Sequence, residues 1–369
     1  MSVSQEGFPT HLLTAYALPT SAYTLESVGS GHIHDSFRLS FPEAEQAPLF
    51  VQRINHRIFS PLPLLMGNLE KVLAHLSARM ASQQGHGQLG LQLVYTRDRA
   101  AFFEDDEGNA WRLFPFLEGL SSFDLVLSGE QAFQGARSFG YFLAFLSELP
   151  PASIPEIIPA FHHVPSRLTL FEDQVSRPFE GRDQTCPAEI AFVRLHADRM
   201  CQFQHLQDQG VLPTRLTHND TKFNNVLLDK KGIGRCVVDL DTVMPGLVHA
   251  DFGDGIRTAA STAREDEADL ALVGLDREKF QGFAEGYLSV VRDLLNPAEL
   301  SLLGLSGAMM AYLIGLRFLT DYLGGDAYYK TTYPEHNLDR ARNQFRLSQD
   351  ILDQQDELNA YILPRKFYS

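Results

Sequence analysis

LTHNDTKFNNVLLD, residues 216–229, places His218, Asp220, Lys222 and Asn225 within eight positions and then runs into the apolar Val226-Leu227-Leu228. Polar groups this dense do not suit a buried core, and a solvated loop has no use for the apolar run behind them. Alone, the stretch also fits a turn whose aspartate is hydrogen-bonded to its own backbone. A second carboxylate decides between the two readings. CVVDLD, residues 236–241, brings Asp239 nineteen residues after Asp220, at the end of the next apolar run. The intervening DKKGIG reads as a tight hairpin turn, so the two runs pair and their polar ends meet.

That arrangement answers the needs of phosphoryl transfer, which asks a protein to position a hydroxyl, accept its proton, hold a cation and neutralise oxygens. Asp220 suits the proton, and Lys222 suits the transferring phosphate. Asn225 and Asp239 offer oxygen atoms to a hard cation such as Mg²⁺. Asp241 reads either as a further metal ligand or as a support. His218 is expected to brace the loop through hydrogen bonds rather than to do chemistry. The spacing HxDxKxxN followed by a strand-end aspartate is similar to the catalytic loop of protein kinases.

The chain around this stretch has 369 residues, 44% of them hydrophobic, enough for one large domain or two lobes. A net charge of −15 disfavours nucleic acid and anionic membrane as partners. Three cysteines without a CxxC indicate neither a disulfide framework nor a zinc site. No signal sequence and no apolar run of membrane-spanning length is evident, so a cytoplasmic protein without an obligate protein partner is expected. GHIHDSFRLSF, PLFVQRIN, LQLVYT and WRLFPFLEG read as strands around one helix, MGNLEKVLAHLSARM. From Leu117 onward long helical patterns dominate, joined by an irregular connector, ASIPEIIPAFHHVPS. The expectation is an α+β, bilobal, protein-kinase-like fold: a small β-rich N-lobe over residues 1–116 and a larger helical C-lobe over 117–369. A ligand site is expected between them.

The ordered blocks HNDTKFNNVLLD, VVDLDTVMPG, HADFGDGIRT, RFLTDYLGGDAYYK and HNLDRARNQ resemble those of the aminoglycoside phosphotransferase and choline-kinase-like family. Within it the chain is most similar to the bacterial N-acetylhexosamine 1-kinases, over nearly its whole length. The resemblance implies ATP and Mg²⁺ as cofactors and the anomeric hydroxyl of GlcNAc or GalNAc as acceptor. It turns Gly29, Ser30, Gly31 and His32, otherwise a plain hairpin turn, into a phosphate-binding turn. It places Arg53 where kinases carry the strand lysine, with Glu70 as its helix partner; the alternation of the strand leaves open whether Arg53 or Gln52 faces inward. Phe114 and Phe116 then form the hinge that meets the adenine through backbone groups. Asp251 and Asp254 either fasten the catalytic loop or cap a helix starting near Gly255. Arg317 and Tyr328 would hold the sugar, although Arg317 is equally read as a helix cation paired with Asp321. An aminoglycoside or other small-molecule hydroxyl kinase is the alternative. A pseudokinase and a hydrolase using Asp239 and Asp241 fit the residues less well.

Overall fold

The computed structural model describes residues 8–20, 22–29, 33–82 and 86–363. It begins with a short helix α1 (Thr10–Ala15) and strands β1 (Thr24–Ser27), β2 (Asp35–Ser40) and β3 (Leu49–Ile54). Helix α2 (Leu62–Ser82), β4 (Phe103–Glu104) and β5 (Ala110–Pro115) follow. The strands form one antiparallel sheet in the order β1-β2-β3-β5-β4. Both faces of this sheet are covered. Leu39, Val51, Trp111 and Leu113 pack on Leu12 and Leu13 of α1, while Ile54, Ala110 and Phe114 join the main core with Leu65, Leu69, Val72 and Leu73 of α2. The helical spacing of those α2 residues produces its single apolar stripe. The segment LQLVYT is not the expected strand: it makes only an isolated bridge from Val94 to Leu113. Its neighbours are tied elsewhere, Leu89 N–H to the Arg235 carbonyl and Arg97 N–H to that of Ala15, so no longer ladder forms.

The second region contains β6 (Leu120–Ser121), α3 (Gly129–Leu146), α4 (Val164–Ser176), α5 (Pro187–Asp208) and β7 (Arg215–Thr217). Then come β8 (Val226–Asp229), β9 (Gly234–Val237), β10 (Met244–Gly246), α6 (Val248–Ala259) and α7 (Arg277–Val291). Helices α8 (Pro297–Leu323), α9 (His336–Asp353) and α10 (Gln355–Ile362) close the chain. The fold is kinase-like, an antiparallel sheet followed by a helical region. Two small sheets, β10-β7 and β6-β8-β9, carry the loops that matter below. Helix α4 begins at the end of what reads as a connector: Val164, Leu168, Phe171 and Val175 recur at helical spacing and pack on the main core. Helix α6 starts at Val248 rather than near Gly255, which puts Asp251 and Asp254 inside it. Helix α8 opens with a capping box, Asn296 with Glu299, and Pro297 at its first position. Contrary to expectation, α8 is long and apolar enough to cross a membrane; 83% of that window is buried, wrapped by α4, α6, α9 and α10.

Candidate active site

The loop after β7 is held from four sides. Both Asp251 carboxylate oxygens accept backbone N–H groups, from His218 at 2.9 Å and Asn219 at 2.7 Å. His218 Nδ1 accepts the Asp220 N–H at 3.3 Å, so Nε2 carries the proton and donates it to the Val238 carbonyl at 2.9 Å. Asn219, with φ of +62°, donates its amide to the carbonyls of Thr217, Thr242 and Met244. Thr221 donates to the Asp251 carbonyl at 2.6 Å. Below the loop Phe223 is buried against Gly135 of α3, where a Cβ would stand 2.3 Å from its ring. A left-handed residue held by this many bonds is a conformation the surroundings impose. Asp251 therefore fastens the loop, and its burial pushes its own carboxyl up to about 6. Asp254 instead pairs with the buried Arg257 at 2.7 Å.

The fastened loop gathers the expected polar residues. Lys222 Nζ lies 3.0 Å from Asp220 Oδ1, and Asn225 Nδ2 donates to Asp220 Oδ2 at 3.1 Å and to its carbonyl at 2.8 Å. Burial alone would raise the Asp220 carboxyl, but Lys222 brings it below the ordinary carboxylate range. The hairpin of β8 and β9 brings up Asp239, since Val238 N–H donates to the Asn225 carbonyl at 2.9 Å. Asp239 has φ of +59° and no hydrogen-bond partner among the described residues. Although part of its surface meets solvent, it sits deep enough that desolvation, with Asp241 and Asp220 nearby, raises its carboxyl. A cluster short of positive charge, with the free Asp239 carboxylate and the Asn225 amide oxygen on it, fits a hard cation.

Asp241 is placed differently. Its two oxygens accept Arg112 Nη1 at 2.5 Å and Nη2 at 2.8 Å, and His34 Nε2 donates to Oδ2 at 2.8 Å. Despite its burial, the Arg112 guanidinium and the hydrogen bond from His34 hold the carboxyl far below the carboxylate range. Ligand atoms of His34, Asp239 and Asp241 all lie within 4.8 Å of one another, yet Asp241 already has its counter-charge. Gln52 Oε1 accepts the other side of Arg112, from Nε at 3.0 Å and Nη2 at 2.8 Å. Gln52 is thus the inward residue of β3. Arg53 points to the opposite face, where it pairs with Asp35 at 2.5 Å and lies over the Trp111 ring. It makes no pair with Glu70, whose carboxylate meets the Tyr95 hydroxyl instead. The face expected for Arg53 belongs to Arg112 on the neighbouring strand, directly opposite Gln52 in register. A lone arginine between Trp111 and Leu113 was the signal for it.

An open cavity of about 510 Å³ is lined by Arg38, Phe116, Glu118, Phe123 and, from the β8–β9 hairpin, Asp229 and Lys230. Phe116 contributes its ring, under the Arg38 guanidinium, while its N–H already donates to the Pro48 carbonyl at 3.0 Å. Phe114 is a core residue, 5% exposed. Gly29 has the turn conformation, φ of +84°, whereas Ser30, Gly31 and His32 lie outside the described residues.

Arg317 lies between the Phe161 ring at 5.2 Å and the Tyr329 ring at 5.8 Å. Its expected helix partner Asp321 is engaged elsewhere, accepting the N–H groups of Tyr328 and Tyr329 and the Asn337 amide. Tyr328 is 58% exposed and its ring packs edge-on against Tyr329. The more buried Tyr329, overlooked in the sequence, is the tyrosine beside Arg317 and within electrostatic reach of Lys222. His162 joins the two groups, donating from Nε2 to the Asn219 carbonyl at 2.8 Å. The arrangement brings a carboxylate, a lysine, a cation-ready oxygen cluster and a guanidinium around one cleft.

Solved structures share this fold. A microcompartment-associated aminopropanol kinase is 17% identical with TM-score 0.66, covering 94% of this chain and 97% of its own. An aminoglycoside phosphotransferase from Alicyclobacillus acidocaldarius is 11% identical with TM-score 0.62, covering 98% of each. A spectinomycin phosphotransferase in complex with ADP and spectinomycin is 13% identical with TM-score 0.55, covering 94% and 97%. A profile of the APH phosphotransferase enzyme family matches residues 25–286, the span from β1 to α7 that carries the catalytic-loop cluster. On that match and this geometry, the chain belongs to the phosphotransferase enzyme family.

Proposed function

We propose that the chain is an ATP- and Mg²⁺-dependent kinase that phosphorylates the anomeric hydroxyl of N-acetylhexosamines, GlcNAc or GalNAc. The observation that carries this reading is Asp220, bonded to Lys222 and Asn225, with the Asp239 carboxylate near it and His162 tying its loop to the neighbourhood of Arg317. The acceptor hydroxyl binds against Asp220, which takes its proton as the new bond from the acceptor oxygen to phosphorus forms. The bond from phosphorus to the bridging oxygen of ADP breaks, and ADP leaves with the electron pair. Lys222 reaches the transferring phosphoryl group and compensates its charge. Asp239 and Asn225 would hold Mg²⁺, which when bound neutralises phosphate oxygens and orients them. Arg112, with Gln52 and Asp241, fixes the floor between the two regions and so the position of Asp239 two residues away. The cavity at Phe116 would take the adenine.

An uncharged sugar is recognised by fixed donors and acceptors, and unpaired donors reject an analogue that cannot fill them. Arg317 with its aromatic walls supplies such a donor set. The test is ADP release with GlcNAc and GalNAc, followed by phosphorus NMR of the product. A phosphate coupled to the anomeric proton is expected. A 6-phosphate, or activity on cationic acceptors alone, overturns the reading.

A further inference from the structure

We propose that Arg167 is a second recognition residue of the acceptor site, and that with Arg317 it selects hydroxyl compounds bearing an acyl or carboxylate oxygen and excludes ammonium-bearing ones. This rests on reading the cleft as the acceptor site of a kinase, but not on which sugar enters it.

Several cations at this end of the cleft have a carboxylate partner. Lys222 is paired with Asp220, Arg257 with Asp254 and Glu265, and Arg182 with Asp326. His162 is kept neutral, its imidazole lowered to about 4 by burial and by the nearby Arg317. Arg167, Arg317 and Arg340 are the exceptions, none of them in an ion pair with a carboxylate among the described residues; Arg340 donates to the Lys330 carbonyl and to Asn337 Oδ1. Arg167 donates one Nη2 bond, to the Phe161 carbonyl at 3.2 Å, and its Nε is buried with no acceptor. Arg317 lies over the ring of that same Phe161, so the two guanidiniums converge on one residue. They are close enough for each to feel the other's charge, which, after burial, is what lowers Arg167 from its ordinary range.

In a chain with 46 acidic and 31 basic residues, carboxylates are plentiful elsewhere, so the sign of this corner is a local property. A guanidinium stays charged, and its planar fork matches the oxygens of a carboxylate or an acyl group. A ligand oxygen placed there satisfies the orphan Nε–H and relieves the repulsion between the two cations. An ammonium group adds a third cation and satisfies nothing. His162 ties the corner to the Asn219 carbonyl, one residue from Asp220, so what binds here lies within reach of the reacting hydroxyl.

The test uses compounds that differ only by N-acetylation: N-acetylglucosamine against glucosamine, N-acetylgalactosamine against galactosamine, and N-acetylethanolamine against ethanolamine. ADP release is measured for each, with calorimetry in the presence of Mg²⁺ and ADP as a readout independent of turnover. The acetylated member is expected to be favoured at least about tenfold in kcat/KM or affinity. Arg167→Met should shrink that ratio to within about threefold while leaving the KM for ATP unchanged, and Arg167→Lys, which keeps charge but not the fork, should fall between. Equal or better use of the ammonium member, or a ratio untouched by Arg167→Met, overturns the inference. So does failure of every acetylated compound to bind. If the hexosamines are inert while N-acetylethanolamine is preferred to ethanolamine, the sugar reading fails and this inference stands.

Discussion

Arg112→Met is expected to destabilise the protein sharply, and the cost follows from what the arginine touches. Its side chain and that of Asp241 are 2% and 1% exposed. Removing the guanidinium leaves Asp241 buried with His34 as its one remaining side-chain partner, and leaves Gln52 Oε1 without a donor. Breaking a buried ion pair from one side costs about 3–5 kcal/mol, and an orphaned amide oxygen adds about 1 kcal/mol. For 369 residues the unfolding entropy is roughly 0.8 kcal/mol/K, so Tm should fall by roughly 5–8 °C. Arg112→Met combined with Asp241→Leu removes both charges and should recover most of the loss. Urea denaturation followed by tryptophan fluorescence measures this directly, because the single tryptophan, Trp111, adjoins Arg112 on β5. A loss below about 1 kcal/mol for the single variant, or additive losses in the double variant, would refute the reasoning.

Asp220→Asn should lower turnover by about 10²–10⁴-fold with ATP affinity nearly intact; retention of half the parent activity would exclude Asp220 as the base. Asp239→Ala should abolish most of the Mg²⁺ dependence of binding to a non-hydrolysable ATP analogue, read by calorimetry; unchanged dependence would remove Asp239 from the cation site. Arg53→Ala should change the KM for ATP by less than about twofold, since its pair with Asp35 is exposed, whereas Gln52→Ala should raise it more by loosening Arg112. The opposite order in steady-state kinetics would mean that β3 presents its other face. His249 is fully buried, donates to the Glu299 carbonyl and has no partner at Nδ1, and burial lowers it to about 4. Between about pH 6.5 and 4 the unfolded chain therefore binds a proton the folded chain refuses, so stability rises with pH, by about 2 kcal/mol from pH 5 to 7. His249→Gln should lessen the difference between urea midpoints at the two pH values by about that amount, leaving the share of His162, and an unchanged difference would assign it to other groups.

Asp220, Lys222, Asn225 and Asp239 were legible in the chain because their proximity is local. One loop holds three of them, and a hairpin whose turn is visible as DKKGIG returns the fourth. The kinase-like fold was legible for a related reason, since α2, α3, α5, α7 and α9 each show an apolar stripe at helical spacing and α8 is apolar on every side. The orientation of β3 was not. Alternation identifies the inward side of a strand when one face is wet, and here α1 covers one face while α2 and the second region cover the other. Val51 and Gln52 are both buried, so the pattern could not separate Gln52 from Arg53. Tertiary structure decided that Arg112, on what read as a plain hinge strand, meets Asp241 from 129 positions away. It also decided the corner proposed for the acceptor, where Arg167, Arg317, Phe161 and Tyr329 come from α4, α8 and the segments beside them. No spacing rule links such residues: side chains far apart in sequence meet only when helices pack, and which charges remain unpaired is known only after all the others have found partners.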